Sequence, residues 1–513
     1  MRQKRRPRIS PVDDARALFR RAHFSLAAER LAALLDEEPG FAAGALLAAR
    51  TQLRLGSPSS ALAVLTRHVR SAKRDEKAEA AMLKAVAFSR LGDAASARAQ
   101  FKNAQSLLGE GDALAGELTY HQASAEWIDR RLDRASAMLQ RVPQGRSADL
   151  DLHVAILRGA VASAGENLPA QGAILLDALR RAGTGEDVEA YLYAMLVTHI
   201  AALAVELPSA ELRDAAIARL DTVAWTPDIG DLHFHAVRAV AWRHALDGDE
   251  FNAFRRLKQA LGAARTDAWR VAALTDRAYL AQALGEKRWA AQELRDAHEL
   301  ASSIDWKAVA GEEKLALPVL AELFAARDPS VAINYVATFS SVGKSYPRIL
   351  SSSKDVRVQA LEAYSLGKVQ LALGERAEAK RLLASAWSTY DRLGIAWRAA
   401  RAALALAEID DSAKWRSRAA HELQAYPRSW LARTERVGAA APLSLPAEAS
   451  GLTAAQRAVL ELLLEGRGTD EIARTQGRST FTVRNHIKAI FKTLGVTSRS
   501  ALIVKVTRGT SQP

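Results

Sequence analysis

The sequence predicts an all-α chain, with helical hairpins repeated through most of its length and a compact helical domain at its C-terminal end. Three observations predict it. Before residue 430 the apolar residues recur at three- and four-residue spacing, with alanine and leucine dominant and β-branched runs scarce, which is the pattern of helix. A short phrase, Leu-Gly, a polar turn, then an alanine five residues after the glycine, returns at near-constant intervals. Finally, the stretch VGAAAPLSLPAEASG (437–451) has two prolines, many small residues and a single acid, the composition of a linker.

The recurring phrase stands as LGSPSSA (Leu55, Gly56, Ala61), LGDAASA (Leu91, Gly92, Ala97), GENLPA (Gly165, Ala170), GDEFNA (Gly248, Ala253), LGEKRWA (Leu284, Gly285, Ala290) and LGERAEA (Leu373, Gly374, Ala379). A weaker copy, RRLDRA, puts Arg130 in the glycine's place and ends at Ala135. Gly56 to Gly92 is 36 residues, Gly92 to Arg130 is 38, Arg130 to Gly165 is 35 and Gly248 to Gly285 is 37. The longer gaps, 83 residues from Gly165 to Gly248 and 89 from Gly285 to Gly374, each leave room for two units with the phrase lost. A helical hairpin explains the phrase physically. Glycine accepts the left-handed backbone that ends the first helix, and a small alanine lets the second helix cross it closely. The period and the Gly…Ala turn resemble tetratricopeptide repeats, which implies an α-solenoid with a binding groove. The repeats are expected over 11–430, after a disordered basic tail at 1–10 and before a linker at 431–451. The ten tryptophans fall mostly in the repeats and are read as core filler rather than ligand contacts.

Composition narrows the function. There are no cysteines, which excludes disulfides, thiolate zinc sites and a cysteine nucleophile. No apolar run reaches the 18 residues a spanning helix needs, and the N-terminal MRQKRRPRIS has no apolar stretch behind its arginines to make it a secretory signal. A cytoplasmic protein without membrane contact is expected. The net charge is +13, and the two ends hold most of it: five basic groups and no acid in residues 1–10, ten basic groups against four acids in 451–513. Charge concentrated in this way suits a polyanionic partner, most simply nucleic acid.

The C-terminal segment gives that partner a reader. LTAAQRAVLELLLEG (452–466) reads as a helix with Thr453 as N-cap and Gly466 as its end. TDEIART (469–475) reads as a short helix capped by Thr469, with Ile472 and Ala473 inward. QGR turns the chain, and Ser479 caps a third helix whose buried stripe is Val483, Ile487, Ile490, Phe491 and Leu494. The opposite side carries Arg484, Asn485, Lys488 and Lys492. Two helices joined by a three-residue turn, the second with one apolar and one basic-polar face, make a helix-turn-helix. Arginine forks onto guanine, asparagine onto adenine, and lysine reaches guanine or phosphate.

Over 452–506 the sequence resembles the LuxR-type helix-turn-helix, through LT…VLELLLEG, then EIA, then S..TVR.HI..IF..LGV.SR.A. Glu471, Ile472, Ala473, Ser479, Thr482, Val483, His486, Ile490, Phe491, Leu494, Gly495, Val496, Ser498 and Arg499 fall on that pattern. The resemblance implies a four-helix DNA-binding domain, here 452–508, of a bacterial transcription regulator. It also implies base contacts from Arg484, Asn485 and Lys488; Thr469 and Thr482 are further DNA-facing candidates, and Lys492, Arg499 and Lys505 are candidates for phosphate or interface contacts. A last helix at about 499–507 is implied to pair two copies, with Ala501, Leu502 and Val506 as the seam and Lys505 beside it. Three positions depart from the family's habit: Gln456 for glutamate, and Gln476 and Arg478 for aliphatic residues. His486, alone on its helix, reads as packing or a phosphate contact rather than a metal ligand.

Enzyme readings find no support in the sequence. The nearest phosphate-loop phrase, TFSSVGKS (Thr338–Ser345), has Thr338 where the first glycine belongs and Pro347 soon after, without the strand and helix that such a loop requires. The expectation is therefore a transcription regulator without catalysis, metal or cofactor. Its expected partners are double-stranded DNA, a second copy of itself on DNA, and a protein, peptide or small-molecule effector in the repeat groove. RNA polymerase is a further candidate. The competing reading is a repeat scaffold that binds proteins and touches DNA only secondarily.

Overall fold

A computed structural model of the chain describes residues 10–69, 73–109, 112–309, 312–342, 355–410, 412–433, 451–464, 467–496 and 502. Among the described residues every regular element is a helix. Two compact units partition the chain: Met1–Leu203 with Ala210–Ala236, and Ala204–Ser209 with Val237–Pro513.

In the first unit, helices follow one another as hairpins: α1 (Pro11–Arg20) with α2 (Phe24–Glu37), α3 (Ala42–Arg54) with α4 (Pro58–His68), α5 (Arg74–Leu91) with α6 (Ala94–Leu107), α7 (Leu114–Ile128) with α8 (Leu132–Gln140), and α9 (Ala148–Ala164) with α10 (Leu168–Ala182). Helix α11 (Ala190–Glu206) follows, its residues from Ala204 onward belonging to the second unit, and then α12 (Ala210–Leu220). The second unit takes α13 (Gly230–Leu246) from Val237 onward with α14 (Glu250–Ala263), then α15 (Asp267–Ala283) with α16 (Lys287–Ser303), α17 (Ala316–Ala325) with α18 (Pro329–Val342), α19 (Val356–Ala372) with α20 (Arg376–Arg392), and α21 (Ala396–Asp410) with α22 (Ala413–Leu423). The gap before Gly374 is filled by α17–α18, a hairpin that turns without the glycine, and α11 and α12 stand in the gap between Gly165 and Gly248. The first residues of the phosphate-loop-like phrase, Thr338–Val342, lie inside α18; Gly343, Lys344 and Ser345 lie outside the described residues.

One turn design recurs. At Gly56, Gly92, Gly248, Gly285 and Gly374 φ lies between 73° and 85°, and the next residue's N–H donates to the carbonyl five residues back, at 2.8–3.0 Å. That is the 6→1 bond that satisfies an orphan carbonyl of the first helix. The residue five positions on, Ala61, Ala97, Ala253, Ala290 or Ala379, is at most 3 % exposed. Arg130 takes φ 63° with Ala135 fully buried, so the weak copy is a true unit.

The copy GENLPA needs a correction. Gly165 is not left-handed; Glu166 is, with φ 63°, because Asn167 caps α10 by accepting from the Ala170 N–H. The pattern therefore moves one residue, and Gln171, 4 % exposed, occupies the small-residue position in place of Ala170. A further unit had no glycine to announce it: Ala22 has φ 58°, and Ala27, five residues on, is fully buried.

Trp430, Leu431 and Ala432 are at most 7 % exposed, and residues 430–433 are helical, so the repeat region extends beyond the expected linker start at 431. The basic tail 1–9, the linker residues 434–450, Gly466, Arg499, Ala501, Lys505 and Val506 lie outside the described residues.

Candidate nucleic-acid interface

The terminal domain begins with α23 (Ala454–Leu464). Thr453 and Gln456 form a reciprocal capping box: the Thr453 Oγ1 accepts from the Gln456 N–H at 3.2 Å, and the Gln456 Oε1 accepts from the Thr453 N–H at 2.9 Å. Two orphan donors are satisfied at once. Val459, Leu460, Leu462 and Leu463 then turn inward. The next helix, α24 (Thr469–Thr475), starts one residue earlier than expected, with Gly468 at the cap position and no side-chain cap bond. Thr469 is therefore a first-turn residue rather than the cap. Ile472 and Ala473 enter the core as predicted, at 0 % and 5 % exposure.

Gly477, with φ 59°, makes the turn, and the Arg478 N–H donates to the Ala473 carbonyl at 2.9 Å, the same closure that the repeats use. Ser479 caps α25 (Thr480–Thr493): its Oγ accepts from the Thr482 N–H at 3.1 Å and lies 2.8 Å from the Thr482 hydroxyl. The Thr482 side chain is thereby engaged in the cap. Val483, Ile490 and Leu494 are fully buried, and Ile487 and Phe491 pack partly exposed against the same core. At the far end Gly495 has φ 61° and the Val496 N–H donates to the Phe491 carbonyl at 2.9 Å, so the Leu-Gly-Val phrase is the C-terminal stop of this helix.

The opposite face of α25 presents Arg484, Asn485, Lys488 and Lys492, all exposed. Phe481, at 73 % exposure, also stands on the outside of the first turn. Sequence reasoning passed over it because it sought polar readers. His486 is half-buried, its Nε2 lying 3.5 Å from the Arg478 guanidinium. Leu502 needs the largest correction: expected at a seam between two copies, it is fully buried in the domain's own core with Leu452, Val459 and Ile490. A domain of this size has few large apolar side chains to bury, so its own core claims Leu502 first.

Residues 450–506 match the family described as bacterial regulatory proteins, luxR family. The spore germination protein GerE of Bacillus subtilis (strain 168) is 44% identical over 57 residues, 11% of this chain and 77% of that protein. The chain belongs to the luxR family. Among solved structures, it is similar to the Rap protein complexed with competence and sporulation factor at 14% identity and a TM-score of 0.40, over 67% of this chain and 99% of that one. It is also similar to the APC/C hetero-tetramer Cut9–Hcn1 at 14% identity and a TM-score of 0.25, over 83% and 92%.

The departures from the luxR family's habit leave the domain intact. Gln456 closes the capping box as glutamate would, since an amide oxygen accepts the same bond. Gln476 is half-buried and Arg478 exposed, so the polar side chains at the turn stay outside the buried cluster.

Away from the luxR-family domain, charged and aromatic side chains gather on the first helices of successive hairpins. In the first unit Arg50 of α3 bonds Glu79 of α5 and Glu117 of α7, while Arg54 forks onto Glu189 at 3.1 Å, stacks 4.5 Å from the Tyr191 ring and meets His153 at 3.3 Å. Burial lowers the pKa of both His121 and His153, and Arg54 pushes His153 down further. Burial alone would raise the Glu117 carboxyl, but Arg50 and His121 hold it well below the usual range. All three shifts have one sign. As pH falls below the ordinary imidazole value of about 6.5, the unfolded chain takes up protons that the folded histidines refuse, and at lower pH Glu117 adds the same effect. The first unit is therefore expected to lose stability from about pH 6.5 downward. Amide exchange in α7 and α9, corrected for intrinsic rate, should show weaker protection at pH 5.5 than at 7.5, with the difference reduced in His153→Gln.

In the second unit the Arg401 guanidinium of α21 pairs with Glu322 of α17 and lies 4.9, 4.7 and 5.5 Å from the ring centroids of Tyr279, Tyr364 and Trp397. Arg398 forks onto Glu206 and stacks 4.4 Å from Trp397, whose ring lies 5.8 Å from that of half-buried Trp242. The tryptophans are thus divided: Trp306, Trp397 and Trp430 are at most 6 % exposed, whereas Trp242, Trp225 and Trp387 are half-buried.

Proposed function

We propose that this chain regulates transcription by reading the DNA major groove with the exposed face of α25, and that its helical repeats bind a protein, peptide or small-molecule effector. The observation that carries the reading is the division of α25: three fully buried apolar residues on one side, and Arg484, Asn485, Lys488 and Lys492 exposed on the other. That face offers a guanine fork, an adenine fork and two cations to a polyanion. Arg484, Asn485 and Lys488 are assigned to bases. Lys492 and Arg499 are assigned to phosphates, and Thr469 to the backbone beside the first turn of α24. Thr482 contributes through the cap that fixes the helix start.

Binding as a homodimer to two half-sites accords with this reading, with Ala501 and Val506 as seam residues. RNA polymerase is the proposed contact for activation. No catalytic, metal or cofactor role is proposed, and the site of action is the bacterial cytoplasm; no helix among the described residues is long and apolar enough to cross a membrane.

The test is a salt titration of the purified chain on a duplex that it selects from a random pool. Lys492→Ala should weaken binding about equally on selected and unrelated duplexes, and reduce the slope of log affinity against log salt by about 1. An unchanged slope removes Lys492 from the interface. For the repeats, any effector that tightens DNA binding must itself bind more tightly when the duplex is present. If no cell-extract fraction changes the affinity of the full chain, the sensing role fails and the repeats are a scaffold.

A further inference from the structure

We infer that Phe481 is a specificity-determining residue that reads the 5-methyl group of a thymine in the major groove; the inference rests on the reading of α25 given above. Its side chain is 73 % exposed at the second position of the helix. A lone exposed aromatic residue is ordinary on a protein surface, so exposure by itself decides nothing. Its position does. At about 100° per residue, Lys488 and Lys492 lie within about 20° of the line through Phe481, Asn485 within about 40° and Arg484 within about 60°. The ring therefore sits near the midline of the charged face, one turn before Arg484 and Asn485, at the end of the recognition helix that approaches base edges.

The chemistry of the surroundings selects the occupant. Arg484, Lys488 and Lys492, with the neutral amide of Asn485 between them, are exposed around the ring, and a hydrophobic protein partner would have to desolvate the three cations with nothing to pair them. Duplex DNA solves both problems together: its phosphates and base acceptors meet the cations, and thymine supplies an apolar group on the major-groove edge. The Ser479 cap, which bonds both the N–H and the hydroxyl of Thr482, fixes the turn that carries Phe481, so the ring is presented from a rigid helix start.

The experiment uses the full-length chain. A random duplex pool is enriched on the wild type and on Phe481→Ala, Phe481→Leu and Asn485→Ala. The wild-type site should contain a thymine next to the base whose preference Asn485→Ala relaxes; Phe481→Ala should lose the thymine preference at that one position, and Phe481→Leu should keep it. Replacing that thymine by deoxyuridine, which removes only the methyl, should weaken wild-type binding about fourfold, the effect of one buried carbon, and leave Phe481→Ala unaffected. If Phe481→Ala selects the wild-type site, or deoxyuridine is tolerated at every thymine, the assignment is overturned while base reading by Arg484 and Asn485 stands. If the wild type enriches no sequence, the reading of α25 falls and this inference falls with it.

Discussion

Glu322→Ala is expected to lower the stability of the second unit by about 3–5 kcal/mol, the usual cost of stranding a buried charge. Arg401 is 7 % exposed, and its guanidinium is enclosed by the rings of Tyr279, Tyr364 and Trp397. Burial opposes its charge, and the Glu322 carboxylate outweighs that penalty, so that the guanidinium is held well above its ordinary range. Without the carboxylate the rings remain, but ring faces are worth only about 0.5–2 kcal/mol each to a cation. Removing both partners in Glu322→Leu with Arg401→Met should restore most of the loss, since two apolar side chains of similar volume need no desolvation. Denaturation followed by tryptophan fluorescence reports on this spot directly, because Trp397 is in contact with Arg401. A loss under about 1 kcal/mol for Glu322→Ala would mean that the aromatic rings alone carry the arginine.

Leu502→Asp should unfold the luxR-family domain. The side chain is fully buried among Leu452, Val459 and Ile490; truncation of such a residue to alanine costs about 2–5 kcal/mol, and an unpaired carboxylate in its place costs more. A domain of this size has only a few kcal/mol of total stability to lose. Binding to one half-site and to two should therefore disappear together. Had Leu502 served only as a seam between copies, single half-site binding would survive and only the cooperative step would be lost.

Much of this was legible in the sequence because the turn chemistry is local. A glycine with φ near 80°, followed by the 6→1 bond and a buried alanine, leaves the same mark at Gly56, Gly92, Gly248, Gly285 and Gly374. Where another residue tolerates the left-handed backbone, as at Ala22 and Glu166, the mark is absent and the unit is missed or shifted by one. The helix-turn-helix was legible for a similar reason, since the cap at Ser479 and the spacing of Val483, Ile487, Ile490 and Leu494 specify both the start and the buried face of α25. What was not legible depended on packing between distant segments. Leu502 has the same sequence character whether it faces a core or a partner, and Leu431 reads as linker until Trp430 and Ala432 are seen buried beside it. The ion pairs Arg50–Glu117 and Arg401–Glu322 join residues 67 and 79 positions apart, beyond any local pattern.

Base reading by the outer face of α25 can be tested side chain by side chain. The most direct measurement is the sequence preference of the full-length chain, determined on random duplexes for the wild type and for Arg484→Ala, Asn485→Ala and Lys488→Ala, with affinities on the wild-type site and on an unrelated duplex. Because all three side chains are exposed, the substitutions leave the domain core untouched. Each variant is expected to lose about 1–3 kcal/mol on the wild-type site, to relax preference at one base pair, and to bind the unrelated duplex nearly as before. Three variants that select the wild-type sequence with wild-type affinity would contradict base reading by this face.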